Sequence, residues 1–242
     1  MTNTASVVRE SAPTTLTSRE LTPRFEIYRA PHKALRYILG HLLIEMGRVS
    51  FADEREAGMT LAAMEVVLAQ CDRHIAHEDE VLRPALVARC PKALATLDEE
   101  HEQHATQVAE LRAMAKALNE ATSDDHRAAI GRTLYLHFTV FVAETLAHMA
   151  YEERMVQPLL DRNFTLEEQL GFNASIVASI APPEMMEFLR AAIPASSRQE
   201  RFEILNGGRA AMPPPAFAAV VTELMPLLPG PDAEDLALRL GL

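Results

Sequence analysis

Two stretches of this chain carry a histidine followed four residues later by a glutamate, His74-Ile-Ala-His-Glu78 and His148-Met-Ala-Tyr-Glu152. At helical geometry that spacing puts imidazole and carboxylate on one face, about 6 Å apart along the axis and offset by about 40°. One turn can therefore present two donors to a single point. Nitrogen and carboxylate donors without cysteine suit iron, manganese or zinc. The stretches are also an internal repeat, because His, Ala, Glu, an acidic neighbour and a proline (Pro84, Pro158) recur at identical offsets 74 residues apart. Such a duplication suggests two similar helix-pair halves about a shared site.

The donors must be brought inward by the helices that hold them. The three-four alternation that faces a bundle axis runs His32, Leu35, Leu39, Leu42, Met46 in the first helix and Met64, Val67, Cys71, His74, Glu78, Val81, Ala85 in the second. In the third it runs Leu94, Leu97, His101, His104, Val108, Leu111, Ala115, Leu118, and in the fourth Leu134, Phe138, Phe141, Thr145, His148, Glu152, Met155, Leu159. Each seam brings histidine to the core. Two buried carboxylates among imidazoles need a common partner, and a cation meets that need. Counted from the turns, His32, His74, Glu78, His101, His148 and Glu152 converge to within about two helical turns of one depth. His104 is balanced between ligand and packing residue. His77 falls beside the seam, as a group that supports a ligand or faces solvent. His41, His126 and His137 are set aside as ordinary histidines, and the seam Met and Phe residues as ordinary core.

In order and register, His32 in Pro-His-Lys-Ala-Leu-Arg, His74-x-x-x-Glu78, His101 in Glu-Glu-His and His148-x-x-x-Glu152 resemble the hemerythrin-like, or HHE cation-binding, family over about residues 25–162. The resemblance implies a carboxylate-bridged pair of iron ions, with Glu78 and Glu152 as bridges and His32, His74, His101 and His148 as terminal ligands. Manganese and zinc are the alternative metals. Dioxygen-carrying members of that family have a further histidine four residues along the third helix, where this chain has Ala105. His104 stands one residue short of that position.

The elements that hold these donors follow from composition and punctuation. Glycine is sparse, at nine in 242 residues, tryptophan is absent, and Ala, Leu, Glu and Met dominate, which is helical usage. Four long runs are cut by turn signals at roughly 31–48, 54–88, 92–120 and 124–161. Gly47 to Asp53 closes the first, Pro91 opens the third, and Thr122-Ser123-Asp124 offers caps for the fourth. Short links join antiparallel neighbours, so the expected fold is all-α: an up-down-up-down four-helix bundle over 25–162. A flexible segment at 1–24 precedes it. At 163–242 follows an extension of short helices punctuated by Pro182-Pro183, Pro194, Pro213-Pro214-Pro215, Pro226, Pro229 and Pro231, which either flanks the bundle or forms a homodimer.

A net charge of −11 with no basic run argues against nucleic acid and anionic membranes as partners. No apolar stretch of membrane-spanning length exists, and Met1 to Pro23 lacks a signal-peptide core, so a cytoplasmic location is expected. Cys71 and Cys90 would sit on one helix about 28 Å apart, too far to bond each other. Three functional classes follow. A diiron protein that binds, senses or scavenges dioxygen or nitric oxide, or responds to iron, fits best. A diiron oxidoreductase acting on dioxygen or peroxide is the alternative, but no dithiol pair or flavin fingerprint supplies electrons. The third is a metal-stabilised interaction module. A binding protein is favoured over an enzyme, and no catalytic residue is assigned.

Overall fold

Helix boundaries fall where the capping chemistry puts them. In a computed structural model describing residues 25–91 and 95–242, α1 spans Arg29–Met46 and stops at Gly47. Helix α2, Glu54–His77, is capped by Asp53, whose side chain accepts from the Glu56 N–H at 2.9 Å. Helix α4, Ala95–Glu120, is followed by α5, Asp124–Tyr151, capped by Ser123 through the His126 N–H. The 1–24 segment and the seam position Leu94 lie outside the described residues, as does the start expected for the third helix at 92. Helices account for the regular structure, with no strand among the described residues. No described helix is long and apolar enough to cross a membrane.

Two long helices are interrupted at the repeat. A π turn, Glu78–Leu82, joins α2 to α3 (Arg83–Arg89), and a second, Glu152–Val156, joins α5 to α6 (Gln157–Asn163). Each begins at the glutamate of a His-x-x-x-Glu pair. In each, the glutamate carbonyl accepts from the N–H five residues on, Arg83 or Gln157. The repeated prolines explain the placement. Pro84 and Pro158 have no N–H to donate, and in a straight α-helix their rings would press on the carbonyls four residues back. A wider turn just upstream relieves that crowding.

The inserted residue corrects the seams. After Glu78 the alternation predicts Val81 and Ala85 inward, yet Leu82 and Leu86 are the buried pair, at 2% and 1% exposure. After Glu152 it predicts Met155 and Leu159, yet Val156 and Leu160 are buried while Met155 is 52% exposed. Both shifts are one residue, as a π turn requires. The rest of the seams hold: Leu39, Met64, Leu111, Leu134, Phe138 and Phe141 are fully buried. Cys71 is buried and Cys90 caps the end of α3, both as free thiols.

The chain divides into two units. The first comprises residues up to Tyr28 and Leu39–Ala178, and in it α2 packs along α4 and α4 along α5. One end of its core is made by Ile27, Tyr28, Leu82, Leu86, Leu97, Val156, Leu160 and Phe164, with Phe172 and Ile176 of α7 (Leu166–Ser179) against them. That apolar face carries the first unit past the change of composition at 163. The second unit comprises Arg29–Ile38 and Ser179–Leu242. Its helices α8 (Pro182–Ala195), α9 (Arg198–Ala211), α10 (Pro214–Leu224) and α11 (Gly230–Leu240) enclose Leu189, Ile193, Leu205, Phe217, Val221 and Leu236. Prolines open α8, α10 and α11, where an N–H would have no helical partner. Within this unit the first turns of α1 are tied to α8 and α9, by Ala34 against Ala191 and Ala192 and by Lys33 Nζ on Glu200 at 2.7 Å.

Gly131 on α5 lies against Phe51, and any Cβ there would overlap the Phe51 side chain close to its backbone. Gly131→Ala should cost about 1–3 kcal/mol through overpacking. Gly171→Ala, mid-helix in open space, should instead gain about 0.5–1 kcal/mol. Chemical denaturation of the two variants checks the contrast, and equal midpoints would contradict the close approach.

Candidate metal centre

The π turns open beneath the donors that sequence spacing singles out. Glu78 and Glu152 are 4% and 0% exposed, and His101 and His148 are 8% and 7% exposed. One donor atom from each of these four lies within 4.8 Å of all the others, and His74, Glu78 and Glu152 satisfy the same limit. Bonds of about 2.1 Å to a first-row cation spread opposite ligands about 4 Å apart, so the grouping is of the right size. The Glu78 carboxylate lies between two helices: Oε1 is 3.1 Å from His74 Nε2 and Oε2 is 3.6 Å from His101 Nε2. His148 Nε2 is 3.4 Å from Glu152 Oε2, and the His101 and His148 rings meet edge-on at 5.0 Å.

The outward edges of two imidazoles are held by carboxylates that sequence spacing did not single out. His101 Nδ1 is 3.0 Å from Asp79 Oδ1, and His148 Nδ1 is 2.8 Å from Glu100 Oε2. These contacts fix both Nδ1 atoms as donors, which leaves the Nε2 lone pairs directed inward. Those Nε2 atoms are buried and make no hydrogen bond, although carboxylate oxygens stand nearby. Orphaned inward nitrogens, backed by carboxylates, are what metal ligation requires of histidine. The residues therefore fit a divalent cation. The acidic neighbour within the repeat was the available signal for Asp79, and Glu100 immediately precedes His101 in the Glu-Glu-His motif.

Electrostatics point the same way. Burial, reinforced by the neighbouring Glu152 charge, pushes the Glu78 carboxyl well above the ordinary carboxylate range. Burial presses the His148 imidazole down, but Glu152 and Glu100 outweigh it and hold the net shift upward. Tyr28, at the entrance to α1, was not among the sequence candidates. It is 3% exposed, and burial and then the Glu152 and Glu78 charges raise its phenol well above 10. Buried Gln157, which follows the second π turn, accepts from the Ile27 N–H at 3.0 Å and so anchors the segment carrying Tyr28.

The remaining candidates separate clearly. His32 is fully buried on the first turn of α1, in the stretch that clusters with the second unit. His104 is buried outside the donor group, with its ring 5.0 Å from Phe141 and its pKa lowered to about 4 by burial and then by His148 and His101. His77 is half-buried and also outside the group, and His41, His126 and His137 are exposed.

Asp79→Asn and Glu100→Gln should each weaken metal binding by about 10- to 100-fold without unfolding the protein, as read by competition with a calibrated chelator. Unchanged affinity in both would show that the carboxylates do not support ligands. The raised Glu78 pKa gives a second expectation. Its contribution to stability is fully present below the unfolded carboxyl value of about 4.3 and is lost as pH rises towards the folded value. Metal-free Glu78→Gln should therefore be more thermally stable than metal-free wild type at neutral pH, with the gap closing as pH falls towards about 4, whereas added metal should favour the wild type; a gap that does not change with pH would contradict it. Comparison with family models, curated proteins and solved structures finds no match, so any functional reading rests on the donor set itself.

Proposed function

We propose that this chain is a hemerythrin-like protein whose first helices form an up-down-up-down bundle around two iron ions, and that it binds or scavenges dioxygen or nitric oxide. One observation carries the proposal: the two oxygens of Glu78 face imidazoles from two different helices, His74 and His101, the disposition a bridging carboxylate needs. Glu152 is the corresponding residue of the repeat. His32 is assigned as the first helix's donor by its place in the Pro-His-Lys-Ala-Leu-Arg motif. Its helix runs unbroken into the first unit, which supports the sequence register that assigns it.

Bound iron would supply coordination positions for a diatomic molecule and electrons to reduce it. The chain's own residues do the rest. Glu78 and Glu152 would offset the charge of the two cations, and Asp79 and Glu100 hold the His101 and His148 imidazoles in one tautomer. Four histidines and two shared carboxylates would give each ion about four protein donors, short of the six of octahedral iron, and would leave room for an exogenous ligand. The structure adds no pair of thiols, since Cys71 and Cys90 are separate free cysteines and burial pushes the Cys71 thiol up to about 12. This favours a binder over a self-sufficient oxidoreductase.

Protein supplied with iron and purified anaerobically should carry about two equivalents by elemental analysis. Glu78→Ala and Glu152→Ala should each lose most of both, because a bridge serves two ions, whereas His32→Ala should lose about one. Identical single-ion losses from all three variants would contradict the bridging roles, and wild-type protein without metal would contradict the function.

A further inference from the structure

We propose that the C-terminal unit is a positioning clamp for the donor of the first helix: Ala191 and Ala192 of α8 and Glu200 of α9 hold the turn that carries His32, and so set how firmly one of the two irons is kept. This inference rests on the diiron reading, in which His32 is assigned by its motif, and deepens it by naming what places that ligand. The first turns of α1, Arg29–Ile38, belong with Ser179–Leu242, whereas the same unbroken helix continues to Met46 in the first unit. The other assigned donors, His74, Glu78, His101, His148 and Glu152, all lie in the first unit. His32 is thus the one assigned ligand whose stretch of helix clusters with the extension.

The hold falls on the far side of the helix from the donor. Ala34 is two residues beyond His32 and so about 160° round the α1 axis from it. It is buried against Ala191 and Ala192, which are buried as well, with Ile38 and Phe188 alongside. Three methyl side chains let two helices approach closely, and so close a contact leaves the turn little room to shift. A second hold is ionic. Lys33 Nζ reaches both Glu200 oxygens, at 2.8 and 2.7 Å. Glu200 is itself fixed, because its Oε2 accepts from the Ser197 N–H at 2.7 Å in the capping box that opens α9. The residue next to His32 is therefore tied to a carboxylate whose position is set. Apolar contact opposite the donor and an ion pair beside it together fix the rotation of that turn about its axis. A side chain already held in its liganding pose gives up less freedom on coordination, so slack in the clamp weakens the iron served by His32 and leaves the other. Coupling of this kind is reciprocal: iron held by His32 steadies α8 and α9 in return.

The test uses full-length protein, metal-free and iron-loaded, with iron content, circular dichroism and amide hydrogen exchange measured for each variant. Ala192→Leu, which overpacks the contact with Ala34, should keep its helical content yet retain about one iron in place of two. Glu200→Gln should weaken the more loosely held iron by about 2- to 5-fold, the range of a partly exposed ion pair. Lys33→Arg, which preserves the charge, should bind iron as the wild type does. Iron loading should slow exchange in α8 and α9 of the wild type by about fivefold or more, and should not do so in His32→Ala. Should Ala192→Leu fail to fold, the Glu200→Gln affinity and the wild-type exchange decide the matter. Wild-type iron affinity in Glu200→Gln together with two irons in folded Ala192→Leu overturns the clamp, as does exchange in α8 and α9 that is indifferent to iron. Equal slowing in His32→Ala and wild type overturns the route through His32. Wild-type protein without iron overturns the diiron reading itself, and this is visible before any variant is made.

Discussion

Two carboxylates and several imidazoles are held together in an apolar interior, and the rest of the first unit follows from how that charge is compensated. Glu78 and Glu152 are nearly inaccessible to water, and each raises the cost of ionising the other. An isolated pair of this kind would protonate or be excluded from the core. Here it is surrounded by inward nitrogens with carboxylates behind them, an arrangement that makes sense once a multivalent cation stands between. The donor atoms of the cluster lie close enough together to hold such a cation.

The π turns are the backbone's contribution to that arrangement. A regular α-helix through Glu78 or Glu152 would continue its seam at Val81 and Met155, and the helix beyond would present a different face to the core. The added residue instead buries Leu82, Leu86, Val156 and Leu160 beneath the donors. The hydrophobic floor and the polar site are thereby set by the same two turns, and Pro84 and Pro158 mark both. This is why the repeat extends past the glutamates to a proline.

Much of this was legible in the chain itself. The helical periodicity, the Ser123 cap and the inward placement of His101, Glu78, His148 and Glu152 are local properties, fixed by spacing and turn chemistry, and they survive folding unchanged. Met155 faces out, and Val81, Ala85 and Leu159 sit at the margin of the core rather than in it, because alternation assumes a constant helical pitch and the proline that breaks it acts several residues upstream. Asp79, Glu100 and Tyr28 could not be singled out by seam alternation, since each reaches the cluster from off the seam.

The central claim is that the buried carboxylates bridge two metal ions. Anomalous diffraction at the iron edge from crystals of iron-loaded protein tests it most directly. The account predicts two peaks about 3.5–4 Å apart, flanked by Glu78 and Glu152, with His101 and His148 Nε2 directed at the metal. A single peak bound by one His-x-x-x-Glu pair, or no peak within the cluster, would contradict it.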